Sequence, residues 1–325
     1  MSELSEFSLI KKYFENSTVE RDDVLVGIGD DCAIVQSKTH QQIAISVDTL
    51  VEGIHFLPNT DPESLGHKSL AVSLSDLAAM GATPAWFTLA LTLPEVNADW
   101  LAGFAKGLAN LATAHNIALI GGDTTRGPLS ITIQVHGHVD AERALRRDGA
   151  KDGDSIYVSG TLGDAGAGLK LKQSHLNNKS GKQTDVTFLQ QRLDKPTPRI
   201  ELGQSLLAIA HSAIDISDGL IADLNHILEK SNLGAEISLD ALPISNELVR
   251  VVGREEAEIL ALYSGDDYEL CFTVLSDNDS ELVKNIKETY TKIGTITDEN
   301  KIIFIKSGQK IKLTGAGYEH FSSEG

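Results

Sequence analysis

Hydrophobic and polar positions along the chain switch between a helical period and a strand period, and the switches mark its elements. A first helix is expected over Glu6 to Phe14. GIGDDCAIV, Gly27 to Val35, leads into a strand, and alternation there points one of two adjacent carboxylates into whatever core Ile28, Ala33 and Ile34 build. QQIAISVD, Gln41 to Asp48, reads as a buried strand ending in an acid. The next helix carries its own punctuation, with Asp61 at the N-cap, Pro62 at the first helical position and Gly81 just past the end. AWFTLALTLP is a strand stopped by Pro94, and a helix is expected from Ala98 to Ala114. IALIGGDTTRG is a strand opening into a polar loop, and LSITIQVHGHV alternates cleanly as another strand.

The polar, glycine-bearing stretch Arg143 to Asp154 predicts a domain boundary, separating 1–142 from 150–325. SIYVSGTLGDAGAGLKL then reads as strand, glycine-rich turn and helix, and Lys172 to Asp185 as a mobile loop without apolar periodicity. SAIDISDGLIADLNHILEK is strand, turn and helix; YSGDDYELCFTV is turn then strand; KIIFIKSGQKIKLTG is a hairpin turning at Ser307–Gly308. Both halves mix helices and strands with no short-period repeat, which makes the chain an α+β protein of two mixed domains.

Composition narrows the class. The 325 residues are 41% hydrophobic and 23% charged, ordinary for a globular protein and enough for two domains. No apolar run approaches the ~20 residues of a membrane helix, and the N-terminus predicts no secretory signal. Cys32 and Cys271 stand in no paired or ligand spacing, which points to a reducing, cytoplasmic compartment. The apolar surroundings of Cys32 read as those of a core thiol. With 28 basic and 46 acidic residues, the net charge is −18, which disfavours nucleic acid and anionic membranes as partners.

Solubility does not explain acids in apolar or glycine-rich settings. Asp30 and Asp31, Asp48, Asp123, and Asp215 with Asp218 fall at the ends of expected strands, where ligands bind in α/β folds. Asp76 falls on the apolar part of a helix, with Val72, Ser73, Ala79 and Met80 as its neighbours. A buried carboxylate needs a partner, and carboxylates with nearby hydroxyls suit Mg²⁺, a hard cation that takes oxygen ligands. Mg²⁺ held by carboxylates commonly serves phosphate chemistry. Each acid alone has a plainer alternative: Asp30 or Asp31 capping a turn, Asp218 capping the next helix, Asp123 closing an Asx-turn. No GxxxxGK[ST] occurs. The glycines of GTLGDAGAG suit either a phosphate loop or a tight strand-to-helix connection, and GGDTTRG offers backbone donors beside Asp123 and Arg126. Trp86 and Trp100 read as core residues.

Taken in order, GIGDDCA, SVDTLVEGIHF, HKSLAVSLSDLAAMGATP, LIGGDTTRGPLSITIQVHG, GAKDGDSIYVSGTLGDAGAGL, KPTPRIELG, AIDISDGLIADL and SGDDYELCFTV resemble the thiamine-monophosphate kinase family. That family lies within a group similar to the aminoimidazole ribonucleotide synthetases, which bind ATP without a P-loop. The resemblance implies an N-terminal sheet domain that binds ATP and Mg²⁺ and pairs across a homodimer, and a C-terminal α/β sandwich that completes the site. It implies that ATP, as co-substrate, phosphorylates thiamine monophosphate to thiamine diphosphate by direct in-line transfer with several Mg²⁺ ions. Carried over by motif, the metal positions are Asp30, Ser46, Val47 through its backbone carbonyl, Asp48, Asp76, Asp123, Asp215 and Asp218. Gly122, Asp123, Arg147 and Ser217 are expected at ATP, and His55, Asp266 and Tyr318 at the thiamine substrate. Asp266 stands where the family has glutamate, and Val47 where it often has threonine. AWFTLALTL and ITIQVHG are the expected dimer strands. Two alternatives stand beside this: a selenide-activating or purine-synthesis member of the same group, with Cys32 as the only candidate thiol, and an acidic metal-binding protein without catalysis.

Overall fold

The computed structural model describes residues 6–15, 17–29, 31–37, 39–140, 143–174, 176, 178, 180–276 and 286–312. The chain divides into two compact units, one of Met1–Leu77 with Ala82–Glu142 and one of Ala78–Gly81 with Arg143–Gly325. No helix of the described residues is long and apolar enough to cross a membrane.

The first unit holds α1 (Glu6–Tyr13), β1 (Val24–Val26), β2 (Ile34–Val35), β3 (Gln41–Val51), α2 (Pro62–Ala79), β4 (Thr83–Leu93), α3 (Ala98–Ala114), β5 (Ala118–Arg126) and β6 (Ser130–Asp140). Four strands form a sheet in the order β3-β6-β4-β5, antiparallel except for β4 with β5. Asp61 caps α2 as expected, accepting both the N–H and the hydroxyl of Ser64 at 2.8 Å. Asn97 caps α3. The two helices touch through glycine: a Cβ on Gly107 would lie 1.9 Å from the Glu63 carbonyl oxygen. The β1–β2 segment covers part of one face of the sheet, at Trp86, Ala118 and Ile120, and the other face is covered more fully. Phe87, Leu89, Leu91, Ile131, Ile133 and Val135 are buried there, whereas Ile43, Ile45 and Val47 of β3 are 39%, 60% and 54% exposed.

That exposed row corrects the expected buried strand at Gln41–Asp48. β3 is an edge strand that runs on to Val51, pairs with β6 alone, and turns its even-numbered residues, among them Ser46, Asp48 and Leu50, toward the covered side. The apolar run resembles a strand buried on both faces because its outward residues are apolar too. The polar loop expected within IALIGGDTTRG is also strand, because β5 stays paired with β4 as far as Arg126. GIGDDCAIV does not enter a core strand. It supplies only β2, paired with β1 in a separate two-stranded ladder, and Ile34, Asp31 and Cys32 are exposed. Cys32 is therefore not the core thiol expected. Ala33 and Val35 pack on Trp86, Ala118 and Ile120. Trp86 is fully buried and Trp100 stacks on Phe104.

The second unit holds β7 (Ser155–Ser159), α4 (Asp164–Lys172), α5 (Gln183–Asp194), α6 (Ile200–Leu206), β8 (Ala210–Ile216), α7 (Leu220–Ser231), β9 (Gly234–Ser238), α8 (Asn246–Val252), α9 (Arg254–Tyr263), β10 (Glu269–Val274), β11 (Tyr290–Thr297), β12 (Ile302–Lys306) and β13 (Gln309–Ile311). Its seven strands run β13-β12-β9-β11-β7-β10-β8, with β9 and β12 the parallel pair. α7 lays Leu220, Leu224, Ile227 and Leu228 on Ile156, Ile214, Ile237 and Cys271 of this sheet. A second apolar cluster joins α4, α5, α8 and α9 through Ala167, Leu189, Leu248, Val251 and Leu260. The stretch read as a loop to Asp185 already turns helical at Gln183, where the Lys182 N–H reaches the Asp185 carboxylate at 2.8 Å. The expected hairpin forms, with left-handed φ of 50° at Ser307 and 74° at Gly308.

Candidate functional site

In the first unit, β3 and α2 bring together two carboxylates and two hydroxyls. Ser46 and Asp48 project from the covered face of β3, and Ser73 and Asp76 from α2. The Ser73 hydroxyl also reaches the Ile133 carbonyl of β6 at 3.4 Å. Ser46 donates its hydroxyl to the Asp76 carboxylate. Asp48 Oδ2 is buried and meets no hydrogen-bond donor. Burial, and then repulsion from Asp76, push the Asp48 carboxyl up to about 6, against the stabilising hydroxyl of Ser73. An orphaned carboxylate oxygen beside a second carboxylate is costly unless a cation arrives. The donors are all hard oxygens, which fits Mg²⁺ and not zinc. Among the described residues no group of three or more His, Cys, Asp or Glu is gathered as a metal site. The pair is thus a two-carboxylate site, the kind that Mg²⁺ fills out with water and phosphate oxygens.

The structure spreads the remaining candidates of this unit. Val47 faces the open side of β3, away from the pair. Asp123 is exposed on the far edge strand, in register with Ala90, which itself lies opposite Thr132. Asp48 shares its row with Ile133 and Leu89. Neighbouring rows face opposite sides of a sheet, so Asp123 and Asp48 do not meet within the unit. Gly122 is glycine for want of room, since a Cβ would lie 1.9 Å from the Leu89 carbonyl oxygen. His55 is half-buried, and its Nδ1 accepts the Val51 N–H at 3.0 Å. That bond leaves Nε2 as the ring's N–H donor in the neutral form. Asp30 lies outside the described residues.

In the second unit, Asp215 is buried at the end of β8, opposite Leu270 of β10, and Ser217 and Asp218 sit half-buried on the turn that follows. Asp223 organises that turn, its Oδ2 accepting the N–H groups of Ser217, Asp218 and Gly219 at 3.0, 3.0 and 3.1 Å. Burial is the chief cause of its rise to about 7. Asp266 has a left-handed φ of 69° and donates its N–H to the Ser217 carbonyl at 2.9 Å. Arg147 is exposed, and Tyr318 lies outside the described residues.

The glycine-rich GTLGDAGAG is a strand-to-helix connection, and the N–H groups of Gly160, Leu162, Gly163 and Ala165 have partners within the chain. Asp267, fully buried and raised to about 8 chiefly by burial, accepts the N–H of Gly163 at 2.6 Å and of Ala165 at 3.3 Å. Asp164 accepts the hydroxyls of Thr161 and Ser245, each at 2.5 Å. Close by in sequence to Asp267, Glu269 is fully buried and receives Arg199 twice at 2.6 Å, Arg192 at 2.8 Å and Ser159 at 2.5 Å. Sequence reasoning missed Ser73, Asp223, Asp267 and the Arg192–Arg199–Glu269 group. Asp223 was findable, because it falls between Leu220, Leu224 and Ile227 on an apolar helix stripe, as Asp76 does on its own helix.

Comparison with known proteins agrees along the whole chain. Residues 29–139 match the family described as AIR synthase related protein, N-terminal domain, and residues 151–307 its C-terminal domain. The chain is 51% identical over 322 residues to the thiamine-monophosphate kinase of Escherichia coli K12, covering 98% of each. A crystal structure of thiamine-monophosphate kinase from Stenotrophomonas maltophilia K279a matches with a TM-score of 0.85 at 48% identity, over 95% of this chain and 98% of that one. AaThiL complexed with AMPPCP and TMP matches with a TM-score of 0.77 at 32% identity, over 88% and 89%.

Proposed function

The chain belongs to the thiamine-monophosphate kinase family, and we propose that it transfers the γ-phosphoryl group of ATP directly to the phosphate of thiamine monophosphate, giving thiamine diphosphate and ADP. Its relatives' names and a solved relative holding AMPPCP and TMP support this choice of substrates. The observation that carries the chemistry is the half-buried Asp48–Asp76 pair, in which the buried Oδ2 of Asp48 meets no donor.

Both reactants are polyanions, so acids can serve them only through a cation. When bound, Mg²⁺ supplies neutralisation of phosphate oxygens as charge shifts from donor to acceptor. Asp48, Asp76 and Ser46 would hold such an ion. Asp30, Asp123, Asp215, Asp218 and the Val47 carbonyl are the proposed contacts of further ions. Gly122, Asp123, Arg147 and Ser217 are assigned to ATP, with Arg147 adding direct positive charge. His55, Asp266 and Tyr318 are assigned to the thiamine substrate, His55 through its Nε2–H. The acceptor is a phosphate oxygen already ionised at neutral pH, so no side chain has to remove a proton. Rate enhancement then comes from positioning and from charge neutralisation.

The open apolar row Ile43, Ile45 and Val47 supports pairing of two copies through this sheet. The row lies on β3, whereas the dimer strands expected from sequence, β4 and β6, are the central pair. The proposed compartment is the cytoplasm. The test is incubation with ATP, Mg²⁺ and thiamine monophosphate. Equimolar ADP and thiamine diphosphate are expected; ADP without thiamine diphosphate, or neither, contradicts the reading.

A further inference from the structure

We propose that Asp223 is a positioning residue for the nucleotide: a single buried carboxylate oxygen gathers three consecutive backbone N–H groups and so sets the turn that presents Ser217 and Asp218 after Asp215 of β8. This rests on the reading that those three residues face Mg·ATP.

Three successive amides converge on one point only where the backbone is concave, and such a hollow ordinarily receives an anion from outside. Here the anion belongs to the chain. Asp223 reaches back from the first turn of α7 and is 3% exposed. Its Oδ2 lies 3.0 to 3.1 Å from the nitrogens of Ser217, Asp218 and Gly219. A phosphate cannot also use those donors. What the turn can offer a nucleotide is the Ser217 hydroxyl and the carboxylates of Asp215 and Asp218, and the carboxylates repel phosphate unless a cation intervenes. By filling the hollow, Asp223 makes this turn a reader of metal-bound phosphate and not of bare phosphate.

The Ser217 peptide is held from both sides. Its N–H goes to Asp223, and its carbonyl accepts the Asp266 N–H at 2.9 Å, with Tyr268 N–H on the Ile216 carbonyl at 2.8 Å. A Cβ on Gly265 would lie 2.2 Å from the Ser217 carbonyl oxygen, so the two strands of this contact have no slack. Asp266 and Tyr268 keep left-handed φ values of 69° and 50° in the same contact, a cost that persists only where surroundings over-determine the backbone. Loss of the Asp223 acceptor should release the turn, and a misplacement near 1 Å is enough to impair a phosphoryl site.

The experiment uses the full-length protein with the non-hydrolysable nucleotide Mg·AMPPCP, binding measured by calorimetry and turn order by amide hydrogen exchange. Asp223→Ala should speed exchange at residues 217–219 at least about tenfold and weaken Mg·AMPPCP about tenfold or more. Asp223→Asn keeps one acceptor oxygen and should restore both readouts to within about threefold of the parent. If the alanine variant does not fold, Asp223→Glu keeps the buried acceptor but displaces it by a methylene, and should weaken Mg·AMPPCP several-fold. Unchanged nucleotide affinity in the folded alanine or glutamate variant, or an asparagine variant as impaired as alanine, overturns the proposal. Asp218→Asn, run in parallel, separates the premises. If it weakens Mg·AMPPCP while Asp223→Ala does not, only the positioning role fails. If neither does, the turn does not face the nucleotide.

Discussion

Half-buried Asp48 in the first unit and buried Asp223 and Asp267 in the second are all carboxylates pushed upward, to about 6, 7 and 8, with desolvation the leading cause each time. Their hydrogen bonds differ completely. Asp223 and Asp267 collect five backbone N–H groups between them, and Glu269 is saturated by two arginines and a serine. Asp48 Oδ2 collects none, and its neighbour Asp76 repels it. A perturbed pKa therefore does not tell a ligand site from a structural carboxylate in this protein. Donor accounting separates them: Asp223, Asp267 and Glu269 are satisfied where they build turns and core, whereas Asp48 Oδ2, like Glu288 Oε2 of the second unit, meets no donor and is left open to a ligand.

The comparison can be broken most forcefully at the satisfied end. Arg199→Ala leaves Glu269 buried with a bare flank and should cost about 3–5 kcal/mol of stability, read by chemical denaturation. A loss under about 1 kcal/mol would mean that Arg192 and Ser159 suffice. At the unsatisfied end the signs of stability and activity should separate. Asp48→Asn removes a repelled charge and should raise the melting temperature of the metal-free protein at pH 7.5, while turnover falls on the order of a hundredfold or more. Near-normal turnover at saturating Mg²⁺ would take Asp48 out of the site. His55→Ala should raise the KM for thiamine monophosphate about tenfold and leave that for ATP alone; equal weakening of both would remove its substrate-side role.

The same carboxylate sets a dependence on pH. Asp48 is raised in the folded protein from 3.8 to about 6, so its folded form prefers the proton. Its contribution to metal-free stability is fully present below pH 3.8 and is lost as pH rises through about 6. Denaturation midpoints from pH 4 to 7 should fall more steeply in the parent than in Asp48→Asn. Parallel curves would show that Asp48 carries no such strain.

How much of this was readable without coordinates follows from the range of the interactions. Asp76 was legible because helical period alone sets its neighbours, and the capped limits of α2 and the Ser307–Gly308 hairpin were local for the same reason. Asp223 obeyed the same arithmetic but looked like an ordinary helix acid beside the richer DISDG. Asp267 was not legible at all: its donors, Gly163 and Ala165, lie about a hundred residues away in sequence. The edge position of β3 and the outward row of Asp123 depend on strand order, which alternation does not encode. GIGDDCAIV misled because its apolar residues suggested a core strand, whereas only a short ladder forms there.

The most direct test of the unsatisfied pair is thermal unfolding of the full-length protein without nucleotide, with and without Mg²⁺, in the parent and in Asp48→Asn. In the parent, Mg²⁺ should raise the melting temperature saturably, by the equivalent of about 2.7 kcal/mol at a hundred times its Kd. Asp48→Asn should begin higher and respond little. An equal rise in both proteins would mean that the cation binds elsewhere and that the orphaned oxygen of Asp48 holds nothing.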